Sequence, residues 1–114
     1  MTVSVNIEEA HALLREYKAA LPRCLCGSLL KEELTKLNLR MYDLGLTFPE
    51  GSALEVKFED VIQATAERKY QSGIFVPIEE AENLRRRIGF LSTLTDAATL
   101  EALTRTRVKS PPLI

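Results

Sequence analysis

Residues 28–44 read Ser28-Leu29-Leu30-Lys31-Glu32-Glu33-Leu34-Thr35-Lys36-Leu37-Asn38-Leu39-Arg40-Met41-Tyr42-Asp43-Leu44. Leu30, Leu34, Leu37, Met41 and Leu44 recur in steps of four and three, the period of one face of an α-helix. This is the most regular apolar pattern in the chain. Such an edge must be hidden from water, so the segment predicts a helix packed on its neighbours. Leu29 and Leu39 fall off the edge, which suggests a helix that buries two faces. Ser28 is the expected opener. Gly45 is the expected stop, since glycine tolerates the left-handed conformation at a helix end.

Toward the N-terminus, Asn6 and Glu9 have the spacing of a capping box. Ala10, Leu13, Leu14, Tyr17 and Leu21 follow at helical intervals. Pro22 is expected to end this helix near Leu21, because the residue before proline is pushed out of the helical region. Residues 22–27 then read as a connector.

Toward the C-terminus, Phe48-Pro49-Glu50-Gly51 is a turn signal, and Ser52 with Glu55 forms a second capping box. Two readings compete after it. Leu54, Val56 and Phe58 alternate as in a short strand over residues 53–58. Leu54, Phe58, Val61, Ile62 and Thr65 fit a helix over residues 53–70, and the capping box favours that helix. Gln71-Ser72-Gly73 is expected to end it. Ile74-Phe75-Val76 reads as a short extended piece running into Pro77, which suits the first turn of a helix. Glu79, Glu80 and Glu82 then lie near the positive end of that helix's dipole. Ile78, Ala81, Leu84, Ile88 and Leu91 form its stripe. Thr95 or Asp96 caps a last helix carrying Leu100 and Leu103. The expected architecture is all-α: a small four- to five-helix bundle with one short extended segment near Ile74–Val76. It fills one domain over residues 1–106, and residues 107–114, with Ser110-Pro111-Pro112, read as a loose tail.

Composition agrees with one globular domain. The chain has 114 residues, 46% hydrophobic and 27% charged, which gives enough apolar surface to oppose chain entropy. Its net charge of −1 argues against a protein held to polyanions by bulk charge. Residues 1–60 hold seven basic and ten acidic side chains, and residues 61–114 hold eight and six. That asymmetry is too small to define a partner. The sequence starting Met1-Thr2-Val3-Ser4 lacks the basic and apolar blocks of a secretory signal. Its apolar stretches are too short to span a bilayer. The expected location is cytoplasmic, and two cysteines suit a reducing compartment.

Candidate sites are few. Glu8 and His11 have the Glu-x-x-His spacing that carboxylate-bridged metal sites use in bundles. With one histidine in the chain, a dimer would have to complete such a site. Cys24 and Cys26 would point the same way on an extended segment and, with His11, fall one ligand short of a closed zinc site. Both sets are weak metal candidates beside the simpler readings, a surface histidine at a helix start and a thiol packed as a small hydrophobe. No cofactor is expected. Arg85, Arg86 and Arg87 form the strongest charge run, which Arg105, Arg107 and Lys109 could join in space. Such runs usually form a solvated face. The other use is contact with an anionic partner. A helix-turn-helix about Gly89 is not supported: Arg85 stands where a small residue is needed, and Thr95 where a buried branched one is. The chain shows no Gly-x-Ser-x-Gly elbow, no histidine-based triad order and no glycine-rich phosphate loop. Glu32-Glu33 and Glu59-Asp60 point apart on helices and make poor acid–base pairs.

Amphipathic stripes without catalytic groups predict a non-enzymatic helical protein–protein interaction module of adaptor, small-chaperone or inhibitor type, self-associating as a homodimer. Leu30, Leu34, Leu37, Met41 and Leu44 serve either the chain's own core or that interface. If both, Leu29, Leu39, Met41, Phe48, Phe75 and Phe90 are shared between them. Without tryptophan, an aromatic anchor must come from Tyr17, Tyr42, Tyr70 or these phenylalanines. The alternative is a nucleic-acid-associated regulator using Arg85, Arg86, Arg87, Arg105 and Arg107. A metal-binding bundle is the remote third.

Overall fold

The computed structural model describes residues 5–65 and 74–104. These are all-α: five α-helices and one 3-10 turn, with no strand. The first helix, α1, spans Ile7–Leu25. Asn6 caps it, its side-chain oxygen accepting from the Glu9 N–H at 3.1 Å. Glu9 does not complete the capping box, because its carboxylate is drawn 2.6 Å from Arg40 on the next helix. The Asn6 N–H donates instead to the Thr47 hydroxyl, 3.2 Å away.

Pro22 lies inside α1, so the helix does not stop at Leu21. Proline cannot donate to the Lys18 carbonyl. Both residues are exposed, so water can take the bond that proline leaves unmade. The true stop is Gly27, at φ +71°. There the Ser28 N–H reaches the Arg23 carbonyl at 2.8 Å and the Gly27 N–H reaches Cys24 at 3.0 Å. This is a Schellman ending, in which glycine takes the left-handed position without strain.

The second helix, α2, spans Lys31–Gly45. It opens at Leu30 rather than Ser28, the Glu33 carboxylate reaching back to the Leu30 N–H at 3.1 Å. Just before it, the chain pairs with the extended segment expected at Ile74–Val76. Leu30 and Phe75 form an isolated antiparallel bridge. Lys31 N–H donates to the Ile74 carbonyl at 2.8 Å, and Val76 N–H to the Leu29 carbonyl at 2.7 Å. Gly45 ends α2 without a left-handed φ. Its lack of a side chain serves packing: a Cβ there would run into the Phe58 ring, 2.6 Å from Cζ and closer still to Cε2.

The third helix, α3, spans Ala53–Ala64, which decides residues 53–58 in favour of helix. Ser52 caps it through the Glu55 N–H at 3.2 Å, and Glu55 reaches back one residue further, to the Gly51 N–H at 3.1 Å. The part of the expected helix beyond Thr65, and the Gln71–Gly73 stop, lie outside the described residues. A 3-10 turn over Ile78–Glu80 leads into α4, Ala81–Leu94. The last helix, α5, spans Ala97–Thr104. Asp96 is its cap, accepting from the Thr99 N–H at 2.9 Å.

The α4 helix is central, lying against α1, α3 and α5. Its buried face is Ala81, Leu84, Arg87, Phe90, Leu91 and Leu94, while Ile78 stays exposed and Ile88 half-buried. Ala10, Leu13, Tyr17, Ala20 and Cys24 of α1 complete the centre of the core. Phe48, Phe58 and Phe90 form a ring cluster where α3 meets α4. The Phe48 and Phe58 centroids are 5.1 Å apart and edge-on, and Phe90 lies 5.9 Å from Phe58. Among the described residues, no helix is long and apolar enough to cross a membrane.

Candidate docking surface

The α2 stripe faces inward. Leu34, Leu37, Met41 and Leu44 are buried and Leu30 is half-buried, so the chain's own core occupies these side chains. Tyr17 of α1 and Asn38 of α2 fix the pairing of the two helices through a buried hydrogen bond of 2.6 Å. Arg40 spans the same seam, binding Glu9 at 2.6 Å and Glu16 at 2.5 Å. At the other end Arg23 binds Glu33 at 2.8 Å and the Ser28 carbonyl at 3.1 Å. Arg23 and the Leu30 N–H hold the Glu33 carboxyl below its ordinary range.

With that face sealed, α2 and its C-cap residue Leu46 carry a second one. Leu39, Tyr42 and Leu46 are 59%, 42% and 81% exposed. At 100° per residue they centre about 150° round the helix from the buried stripe. A second exposed group lies where the end of α1 meets the 74–78 segment: Leu25, Ile74, Phe75 and Ile78. Phe75 and Leu30 are paired directly across the bridge, so their side chains leave on the same side of it. Their neighbours Leu29 and Val76 point inward and are buried.

The basic run is divided by the helix. Arg85 and Arg86 are exposed, and Arg86 binds Glu82 at 3.3 Å. Arg87 is 2% exposed and cannot meet an external anion from that position. Its guanidinium donates to the Thr65 carbonyl at 3.3 Å and to the Met41 sulfur at 3.5 Å. Thr65 caps the C-terminus of α3, so the buried cation sits at the negative end of a helix dipole. Arg105 and Arg107 lie outside the described residues. Beside Arg86, an open groove between α3 and α4 has Val61, Ala64 and Phe90 in its walls and Lys57 and Asp60 at its edge.

The metal candidates are not brought together. Among the described residues, no three His, Cys, Asp or Glu side chains gather to hold an ion. Glu8 and His11 are both exposed at the start of α1. Cys24 is buried and Cys26 exposed. They sit on a helix ending rather than an extended strand, so they do not share a face. Burial, and then the charge of Glu80, push the Cys24 thiol pKa up, and its sulfur packs against the Pro77 carbonyl at 3.4 Å.

Of the residues read as shared between core and partner, Leu39 and Phe75 are exposed, while Leu29, Met41, Phe48 and Phe90 are buried. Leu46 and the run 39, 42, 46 escaped the sequence reading. The signal was present as three-four spacing in step with the stronger stripe. Comparison with known protein families, curated proteins and solved structures gives no match.

Proposed function

We propose that this protein is a non-enzymatic helical module that acts by docking its exposed apolar surface onto protein. One observation carries the reading. The core is complete without Leu39, Tyr42 and Leu46, or Leu25, Ile74, Phe75 and Ile78, yet these side chains fall into two groups set by a helix face and a backbone bridge. Single exposed apolar residues are ordinary, whereas grouped ones mark interaction surfaces. Tyr42 and Phe75 supply the aromatic content that anchors such contacts. The nucleic-acid reading draws less support, because Arg87 is enclosed and Arg86 is paired with Glu82.

The test places a photo-crosslinking residue at position 39, at position 75 and, as a control, at exposed Lys18 in the full chain. Irradiation in native extract is expected to give discrete protein adducts at 39 and 75 and none at 18. Excess unlabelled wild-type protein competes them away. Adducts at 39 and 75 no stronger than at 18, or not competed, overturn the reading.

A further inference from the structure

We infer that the exposed face of α2 is a self-association surface, on which two copies pair across a two-fold axis with their α2 helices antiparallel. This rests on the docking reading above and names its occupant. Leu39, Tyr42 and Leu46 follow one another by three and four residues, the repeat of a helix–helix seam. The opposite side of α2 is already committed to the core through Leu34, Leu37, Met41 and Leu44. A partner therefore meets a clean apolar edge backed by a fixed support.

Charge selects both the occupant and its direction. Lys36 and Asp43 lie one heptad apart on the same flank of the stripe. Asp43 makes no ion pair among the described residues, and Lys36 makes only a 3.6 Å contact with Glu32 in which both side chains stay more than 70% exposed. Pack Leu39 of one copy against Tyr42 of the other, antiparallel. Lys36 then lies about 3 Å along the axis from the second copy's Asp43, from a rise of 1.5 Å per residue. The two-fold axis makes that contact twice. A parallel pair instead brings Lys36 toward the second copy's Lys31, which joins like charges. The sequence of α2 is thus self-complementary in one orientation only. Tyr42 can bury its ring in such a seam while its hydroxyl stays at the wet edge. The seam is short, so the dimer is concentration-dependent.

Sedimentation velocity on the purified full chain over a concentration series tests this. The wild type is expected to show a reversible monomer–dimer equilibrium. Lys36→Glu and Asp43→Lys each place like charges at both symmetric contacts and weaken the dimer by about tenfold, from two rim contacts of modest strength. An equimolar mixture of the two variants recovers wild-type association, because every 36-to-43 contact in the mixed dimer joins opposite charges. Leu39→Glu abolishes the dimer while leaving the far-ultraviolet circular dichroism unchanged. A wild type that stays monomeric, or charge variants that associate unchanged, or a mixture that fails to recover, each overturn the inference. If the protein is monomeric yet position 39 still crosslinks to other proteins in extract, self-pairing falls and the docking reading stands. If it is monomeric and gives no adducts, both fall.

Discussion

The Phe58 ring fills the space that a side chain on Gly45 would need, so that an added Cβ would overlap the ring edge at Cε2 and Cζ. Two effects therefore oppose each other in Gly45→Ala. Alanine favours the helical end of α2 by about 1 kcal/mol over glycine. Forcing a methyl group against a ring held by Phe48 and Phe90 costs about 1–3 kcal/mol. The clash is expected to win, so Gly45→Ala lowers the urea midpoint. Phe58→Leu, destabilising alone, should make the alanine harmless or favourable. A double-mutant cycle with a positive coupling of about 1 kcal/mol or more checks the contact.

Arg87 separates volume from charge. Arg87→Ala leaves a cavity and an unanswered carbonyl at Thr65, and is expected to cost about 3 kcal/mol in urea unfolding followed by circular dichroism. Arg87→Met keeps most of the volume and removes the cost of burying a cation, so it should cost less than half as much. Equal losses in the two variants would show that the guanidinium's link to α3, rather than its bulk, holds the site.

Acid should loosen the join between α1 and α2. Glu33 has its pKa lowered from the ordinary 4.5, chiefly by the hydrogen bond from Arg23 and then by the Leu30 N–H. A depressed carboxylate contributes stability that is fully present above its unfolded value and is lost as pH falls through its folded value. Asp96, lowered from 3.8 by the Thr99 N–H, adds to the loss further down. The thermal midpoint is expected to fall on acidification below about pH 4.5. Glu33→Gln should flatten the first part of that fall.

The two thiols should differ in reactivity. Cys26 is exposed and Cys24 is buried, with burial raising its pKa. Thiolate is the reacting form. A thiol reagent at neutral pH is expected to modify Cys26 quickly and Cys24 only in denaturant, as followed by intact mass. Cys26→Ser should leave a native protein that takes up almost no label.

The helices were legible because apolar spacing and caps agree over long windows. Residues 28–44 gave both the helix and its buried edge, and Ser52 with Glu55 told helix from strand. The errors arose where a tertiary contact overrode a local rule. Pro22 stays helical because the carbonyl it deprives is at the surface. Glu9 leaves its cap because Arg40 attracts it more strongly. Gly45 looks like a conformational stop and is a packing gap for a residue thirteen positions on. The candidate surface was only half legible. Leu39 stood out as off the edge, and Phe75 as a possible shared aromatic. Tyr42 and Leu46 gain meaning only once the other face is known to be filled. The burial of Arg87 carried no sequence signal beyond its register with Leu84 and Leu91.

The bridge between Leu30 and Phe75, together with the Arg87 clamp on Thr65, has a topological consequence. The α4 and α5 pair is held to the first three helices by contacts that do not depend on the covalent link at 66–73. A break introduced there removes none of those contacts. A cut chain is therefore expected to stay associated through these contacts rather than through its covalent connection.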